Sequence, residues 1–321
     1  MNVLITGGCG FIGSNLIKLL LKKKEILKIV NLDKETYAAN KEYLKDVNDS
    51  RYFFEKVDLV DKTRVFDVLY KHNITHVFHL AAETHVDNSI SSPNDFIHTN
   101  IVGSYNLIEA CRQLWKNNFK NKKFVHVSTD EVYGSLGANG TFTEESSYQP
   151  NSPYSASKAS SDFLVRSYFK TFNFPAVITN CSNNFGPNQN EEKFVPVVIN
   201  SILNDSAVPV YGNGLNVRDW IYVEDHCDAL WLVMKKSKIG EKYNIGGDNE
   251  KTNLEIINAV CKVLDKNPKS YISYVKDRPG HDFRYAIDDS KIKKELKWKP
   301  KTDFKKGLAK TIEYYARNIN N

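Results

Sequence analysis

The sequence predicts an α/β protein: a doubly wound parallel sheet followed by a smaller mixed α/β C-terminal region. Three observations predict it. Six short apolar runs recur through residues 1–182, helix-length stretches separate them, and a glycine-rich turn joins the first run to the first helix. Strands alternating with helices build parallel sheets covered on both faces. Runs that are apolar almost without a break suit strands buried on both sides.

The strands are read at Val3–Thr6, Lys28–Asp33, Tyr52–Val57, His76–Ala81, Phe124–Ser128 and Ala176–Cys181, and the helices at 11–23, 63–72, 94–117 and 154–172. After residue 182 the rhythm changes. Asn183-Asn184-Phe185-Gly186-Pro187-Asn188 is loop chemistry; a helix follows at 192–204, then a strand through Val208-Pro209-Val210-Tyr211-Gly212. A strand is read at Asp219–Glu224 and a helix at Asp225–Lys236. Thr252-Asn253-Leu254-Glu255 has the form of a capping box, in which a threonine and a glutamate three residues on satisfy each other's backbone N–H groups. It opens a helix over 253–265, and Asp303 is placed to cap a last helix over 304–317.

With 321 residues, 41% of them hydrophobic and 26% charged, the chain has the composition of a globular protein with one large domain or two closely joined ones. The formal net charge of +6 is spread along the chain and peaks in the lysine-rich stretch 291–306. That run reads as a solvated helix face, so no nucleic-acid partner is expected, although a basic lining suits a phosphorylated small molecule. The five cysteines, Cys9, Cys111, Cys181, Cys227 and Cys261, are scattered, which argues for reduced, buried thiols and no metal site. No apolar run reaches the ~18 residues that span a bilayer. The first strand pattern begins directly after Met1, so neither a signal peptide nor a membrane partner is expected, and a cytoplasmic setting is.

Gly7-Gly8-Cys9-Gly10-Phe11-Ile12-Gly13 lies between the first strand and the first helix. Glycines there permit a tight turn and let backbone N–H groups approach a pyrophosphate at the helix N-terminus. Asp33 ends the next strand at the offset expected for a carboxylate on an adenosine ribose. A carboxylate in that place accepts from a 2′-hydroxyl and repels a 2′-phosphate, which favours NAD over NADP, while the adjacent Lys34 pulls the other way. Asp58, ending the third strand, is placed either to reach the adenine amino group or to cap its strand.

Tyr154-Ser155-Ala156-Ser157-Lys158 pairs a tyrosine with a lysine one helical turn on. A phenol titrates near ~10 unperturbed, so a tyrosine base at neutral pH needs positive charge beside it. Thr129 ends the fifth strand, at the crevice side of a doubly wound sheet, and Asp130 and Glu131 follow directly. Two acids in one crevice can be split by environment, one kept protonated as an acid and the other ionised as a base. The bland alternative is an exposed loop with ordinary carboxylates.

Together these residues resemble the extended short-chain dehydrogenase/reductases, whose fold is of the Rossmann type, and specifically the nucleotide-sugar 4,6-dehydratases. The resemblance runs over nearly the whole chain. It includes Asp33-Lys34-Glu35-Thr36-Tyr37, Ala81-Ala82-Glu83-Thr84-His85-Val86-Asp87, Ser128–Gly134, Tyr154–Lys158, Asn183-Asn184-Phe185-Gly186-Pro187 and Arg278-Pro279-Gly280-His281-Asp282. The Thr-Asp-Glu triplet is its specific part, since related sugar epimerases usually lack the acid pair. The resemblance implies that Tyr154, with Lys158 and Thr129, deprotonates the glucose 4-hydroxyl as C4 gives a hydride to NAD. Glu131 then removes the C5 proton and Asp130 protonates the departing 6-hydroxyl. NAD, regenerated each cycle, is expected to stay bound.

The same resemblance extends the cofactor contacts from Gly7, Gly10, Phe11, Ile12, Gly13, Asp33, Lys34 and Asp58 to Thr36, Leu59, Ala81, Ala82, Thr99, Tyr154 and Lys158. It implies substrate contacts at Thr84, Asn183, Lys193, Arg218, Arg278 and His281, with Pro209, Tyr211 and Asn253 around the nucleobase and its ribose. Two arginines suit a diphosphate. It also implies a homodimer, and the helices at 94–117 and 154–172 do carry more apolar surface than one side of a sheet needs. Residues 1–182 with about 219–246 are expected to form the NAD-binding part, and about 183–218 with 247–321 the nucleotide-sugar part.

Ala39 departs from the glycine of many bacterial relatives. Thr84-His85-Val86-Asp87-Asn88-Ser89 and Asn216-Val217-Arg218 resemble UDP-glucose-using relatives as much as dTDP-glucose enzymes. The nucleobase therefore stays open, thymine and uracil differing by a methyl group worth roughly 1–3 kcal/mol in a fitted pocket. A 4-epimerase or a decarboxylase on the same scaffold is the alternative enzyme, and a noncatalytic NAD-binding regulator the alternative of another class. Asp130-Glu131 argues against the first two, and the intact Thr129, Tyr154 and Lys158 argue against the third.

Overall fold

In a computed structural model of the chain, which describes residues 1–116 and 118–319, seven strands form one parallel sheet. They are β1 (Asn2–Thr6), β2 (Lys28–Asp33), β3 (Tyr52–Lys56), β4 (His76–His79), β5 (Lys123–Thr129), β6 (Ala176–Cys181) and β10 (Lys242–Ile245). Their spatial order is β10-β6-β5-β4-β1-β2-β3. The order reverses between β1 and β4, and ligands of doubly wound sheets sit beyond the carboxyl ends of the strands at such a switch point.

Alternation along β1 divides the core. Val3 and Ile5 face the layer of α1 (Phe11–Leu21) and α8 (Val223–Lys236), packing with Leu16, Ile17, Leu230 and Val233. Leu4 faces the other layer, with Val65 and Leu69 of α2 (Lys62–Lys71), Leu107, Ile108 and Cys111 of α5 (Ser104–Trp115), and Val165 of α6 (Pro153–Phe172). Two short sheets lie outside this sandwich. One orders β11 (Glu250–Thr252), β9 (Val217–Tyr222) and β7 (Asn183–Phe185); the other pairs β8 (Val208–Tyr211) with β12 (Ile272–Val275). A third apolar cluster joins them to α7 (Phe194–Leu203), α9 (Asn253–Val263) and α11 (Phe304–Ile319) through Phe185, Ile199, Trp220, Ile256 and Leu308.

Several elements differ from the sequence reading. Strand β10 was not read, and neither was the short helix α3 (Val86–Ser91). The stretch read as one helix over 94–117 is α4 (Asn94–Phe96), a π-helix (Ile97–Gly103) and α5, and position 117 lies outside the described residues. Strand β9 begins and ends earlier than Asp219–Glu224 because Val223 is already helical, which puts Glu224 and Asp225 in the first turn of α8, where the helix dipole favours acids. It pairs with β7 and β11, so it belongs to a small sheet although α8 packs on the large one. The capping box at Thr252 and Glu255 is present, and Asp303 accepts from the Lys305 and Lys306 N–H groups at the start of α11. The helix before it, α10 (Ser290–Leu296), takes up part of the lysine-rich run. All five cysteines are free and buried. Among the described residues no helix is long and apolar enough to cross a membrane.

Candidate active site

The glycine turn is built by close packing. Gly7 has φ +72°, and a Cβ on it would lie 2.9 Å from the Ala81 backbone. A Cβ on Gly13 would lie 2.2 Å from the Gly7 carbonyl oxygen. Gly10 caps α1 without a side chain, so the first-turn N–H groups face the crevice and present the positive end of the helix. Asp33 fixes the turn from the next strand: one oxygen accepts from Cys9 N–H at 3.0 Å and the other from Glu35 N–H at 2.8 Å. Burial pushes this carboxyl up and the two N–H groups draw it back. Lys34 turns away from a phosphate role, donating to Thr99 Oγ1 at 2.9 Å with Glu83 at 3.4 Å. Asp58 accepts from Val60 N–H, which is strand-end capping, and also lines the crevice. These features fit a dinucleotide with a free 2′-hydroxyl: a cradle that any Cβ would fill, a helix N-terminus without a side-chain cap, and a carboxylate with lone pairs to spare.

Every residue read as a cofactor contact lines one continuous cavity, together with Thr129, Asp130, Glu131, Thr84, Asn183 and Lys193. Strand β5 delivers Thr129, whose hydroxyl accepts from Glu131 N–H at 3.2 Å and so caps the 3-10 turn Asp130–Tyr133. Helix α6 delivers Tyr154 and Lys158; its start is set by Pro153 and a reciprocal Ser152–Ser155 cap. Lys158 Nζ donates to the Val127 carbonyl at 2.8 Å. The sequence reading had the lysine bring the phenol down. In the structure burial, and then Glu131, push the Tyr154 phenol well above its ordinary range, and the Thr129 hydroxyl works against them.

The two acids are held differently. Asp130 is buried, with Oδ2 left without a hydrogen-bond partner, and burial and Glu131 raise its carboxyl well above the usual range. Burial also raises Glu131, but Arg278, Arg218 and Lys193 all pull it back toward the carboxylate. These surroundings favour the protonated form more strongly at Asp130 than at Glu131.

Of the residues named for the substrate, Asn183 has a buried Oδ1 with no partner, and Lys193, placed at the start of α7, donates to the Thr84 carbonyl at 3.1 Å. Tyr211, Arg278 and His281 gather around Asp87, outside the cavity lining. Tyr211 Oη donates to Asp87 Oδ2 at 3.5 Å, Arg278 lies 3.6 Å from Asp87 Oδ1, and the His281 ring stands edge-on to Tyr211. Arg278 Nε is buried and unpartnered. Arg218 is anchored in the protein itself, donating to the carbonyls of Val217, Asp282 and Phe283 and lying over the Tyr285 ring at 4.3 Å; its charge nonetheless reaches Glu131. Pro209 shares the exposed face of β8 with Tyr211, and Asn253 opens α9; no described contact joins either to the cavity. Cys181, Gln189 and Glu192 line the cavity and were not named from the sequence, although Gln189 and Glu192 lie only two and five residues beyond the recognised Asn-Asn-Phe-Gly-Pro loop.

A doubly wound sheet carrying a glycine turn at β1, a Tyr-x-x-x-Lys pair on α6 and a threonine at the end of β5 defines the class of extended short-chain dehydrogenase/reductases. The family model described as GDP-mannose 4,6 dehydratase matches residues 4–311, and the chain belongs to that family. It is 50% identical to a dTDP-glucose 4,6-dehydratase of Shigella flexneri, over 100% of this chain and 94% of the relative. Among solved structures, a dTDP-glucose 4,6-dehydratase of Bacillus anthracis in complex with NAD superposes with a TM-score of 0.91 at 44% identity, covering 100% and 98% of the two chains. The DesIV dTDP-glucose 4,6-dehydratase of Streptomyces venezuelae, with NAD and TYD bound, gives 0.94 at 39% identity over 100% and 98%. A UDP-glucose 4-epimerase of Thermus thermophilus, in complex with NAD, gives 0.89 at 30% over 98% and 99%.

Proposed function

We propose that the protein is an NAD-dependent dTDP-glucose 4,6-dehydratase. The observation that carries this reading is the split acid pair: a buried Asp130 with an unpartnered oxygen, its carboxyl pushed up by burial, beside a Glu131 drawn back toward the carboxylate by three cations, in the cavity that also holds Tyr154 and the glycine cradle. The cradle and Asp33 are the residues that would hold NAD, which when bound accepts the C4 hydride and returns it at C6. Tyr154 receives the 4-hydroxyl proton, a role that requires the charge of Lys158 and the Thr129 hydrogen bond to offset burial. The resulting 4-keto group acidifies C5–H, and Glu131 as carboxylate takes that proton. Asp130 as carboxylic acid gives its proton to O6, the C6–O bond breaks, and water leaves behind a C5–C6 double bond. As hydride arrives at C6, Glu131 returns the proton to C5, which completes a 4-keto-6-deoxyglucose nucleotide. Asn183, Lys193, Arg278 and His281 are assigned to the sugar and diphosphate. Thr84 joins them at the sugar, and Tyr211, Pro209 and Asn253 are assigned to the nucleobase side.

Incubation with dTDP-glucose and UDP-glucose side by side tests the reading. The expected product from dTDP-glucose is the 4-keto-6-deoxy sugar nucleotide, identified by mass loss of one water. Recovery of the galactose epimer alone would establish the epimerase alternative instead. The named 4,6-dehydratases are dTDP-glucose enzymes at 39–50% identity, above the 30% of the named UDP-glucose epimerase, which favours thymidine over uridine here. We further assign residues 1–182, with α8 and β10, to the NAD-binding part and the two small sheets with α7, α9 and α11 to the nucleotide-sugar part. The active form is proposed to be a homodimer built on α5 and α6, in a cytoplasmic setting that keeps its five buried thiols reduced.

A further inference from the structure

We infer that Asp162 is a positioning residue for this reaction: it sets a buried carboxylate one helical turn from Lys158 and pins the strand end that presents Thr129. The inference rests on the dehydratase reading above.

Asp162 lies four residues after Lys158 on α6, so both side chains leave the same face of the helix toward the sheet. Both are buried, Asp162 with 1% of its surface exposed and Lys158 with 4%. Taking an ammonium out of water favours its neutral form, and burial pulls Lys158 below its ordinary range. Asp162 is the foremost group acting the other way, with Cys181 behind it. The histidines of the neighbouring strands do not share that task. His126 and His79 are held neutral by burial, and the charge of Lys158 itself lowers both further. Tyr154, the remaining titratable neighbour on α6, is pushed up by burial and then by Glu131, so it offers Lys158 no negative charge.

The carboxylate is held through one of its oxygens, Oδ1 being buried without a hydrogen-bond partner. Its Oδ2 accepts from Ser128 Oγ at 2.9 Å on β5, from Tyr148 Oη at 2.8 Å, and from Asn180 Nδ2 at 3.4 Å on β6. Its Oδ1 faces His126 Nε2 at 3.1 Å. Lys242 of β10 and the Tyr133 phenol complete the charged and titratable surroundings. Ser128 immediately precedes Thr129, and Asn180 Nδ2 also donates to the Thr129 carbonyl at 3.0 Å. One carboxylate thus ties together the helix that bears the base and the strand end that bears its hydroxyl partner.

The test is the pH dependence of kcat in Asp162→Asn, an isosteric change that removes the charge. Losing the carboxylate lets Lys158 shed its proton at lower pH, so the alkaline limb is expected to move down by about one pH unit. At pH values above the wild-type limb, activity should fall roughly tenfold while KM stays within about twofold, because charge on Lys158 serves the proton transfer and not sugar binding. Tyr148→Phe removes a hydrogen bond to Asp162 but no charge, and its alkaline limb is expected to coincide with that of the wild type. Should Asp162→Asn not fold, Asp162→Glu keeps the charge and is expected to keep the limb. A limb unmoved in Asp162→Asn, or moved down in Asp162→Glu, overturns the inference. A wild-type protein without dehydratase activity overturns the reading beneath it, so the two failures are told apart.

Discussion

Asp130 shows at the residue scale what adjacency in a sequence leaves open. Two neighbouring acids beside a strand end were legible as a pair to be split; which one stays protonated depends on the unpartnered Oδ2 of Asp130 and on the arginines reaching Glu131 from distant segments. Arg218 was legible as a cation of the site, but not its three carbonyl partners, two of which come from residues 282–283. The state of Asp130 has a thermodynamic consequence. Its folded pKa lies above its unfolded value near ~3.9, so between the two the folded chain holds a proton that the unfolded chain has released. Stability is lost as pH rises through that window. Asp130→Asn does not titrate, so its Tm relative to the wild type should rise as pH increases above about 4, by at least about 2 °C in differential scanning calorimetry. Dehydration should be lost in the same variant, and a gap in Tm that is flat with pH would contradict a protonated Asp130. Glu131→Gln, by contrast, should still exchange the C4 hydride yet stall before water loss, with bound NADH accumulating at its near-ultraviolet absorbance. Normal dehydration by that variant would remove Glu131 from the base role.

At the scale of elements, six of the seven large-sheet strands were legible because each is a nearly unbroken apolar run. Strand β10 escaped notice because it is four residues long with lysine, tyrosine and asparagine among them, and it gains its place from pairing with β6 rather than from its own pattern. The π-helix escaped for a different reason: apolar periodicity marks a helical face but does not distinguish hydrogen bonds to the fifth residue from those to the fourth. That widened turn buries Thr99 and Asn100, which bond to Lys34 and to Glu83, and so positions the crevice wall. The glycine turn was legible as a motif, and the structure supplies its tolerance. A methyl group on Gly13 would meet the Gly7 carbonyl at 2.2 Å, backbone against backbone, with no side chain free to yield. Gly13→Ala is therefore expected to purify with less than about a tenth of the NAD of the wild type, since backbone approach to the pyrophosphate is what the glycines permit. The measurement is the nucleotide released on acid denaturation; a full complement of NAD in the variant would place the cofactor elsewhere.

For the whole molecule, the question is what covers the outer face of α5 and α6. Ile97, Val102 and Tyr105 on the π-helix and α5 are 45%, 37% and 41% exposed, and Phe163 and Phe172 on α6 are 57% and 41% exposed. These helices lie side by side over one face of the large sheet, and each carries exposed apolar side chains on its outer face. The Glu109–Arg112 ion pair and the Arg112 guanidinium over the Phe172 ring give that face a polar margin. An apolar centre with a polar rim is the anatomy of a protein interface, and identical subunits meet most simply about a twofold axis. At that axis each substitution enters twice, so one new charge per chain puts two unpaired charges into the buried centre. Tyr105→Asp combined with Val102→Asp is therefore expected to convert a dimer of the 36.7 kDa chain into monomers, read by size-exclusion chromatography with light scattering. Helix α6 also carries Tyr154, Lys158 and Asp162, so loss of the partner frees its outer face and should lower kcat more than it raises KM. A monomeric wild type, or a double variant that remains dimeric, would rule out this face as the contact.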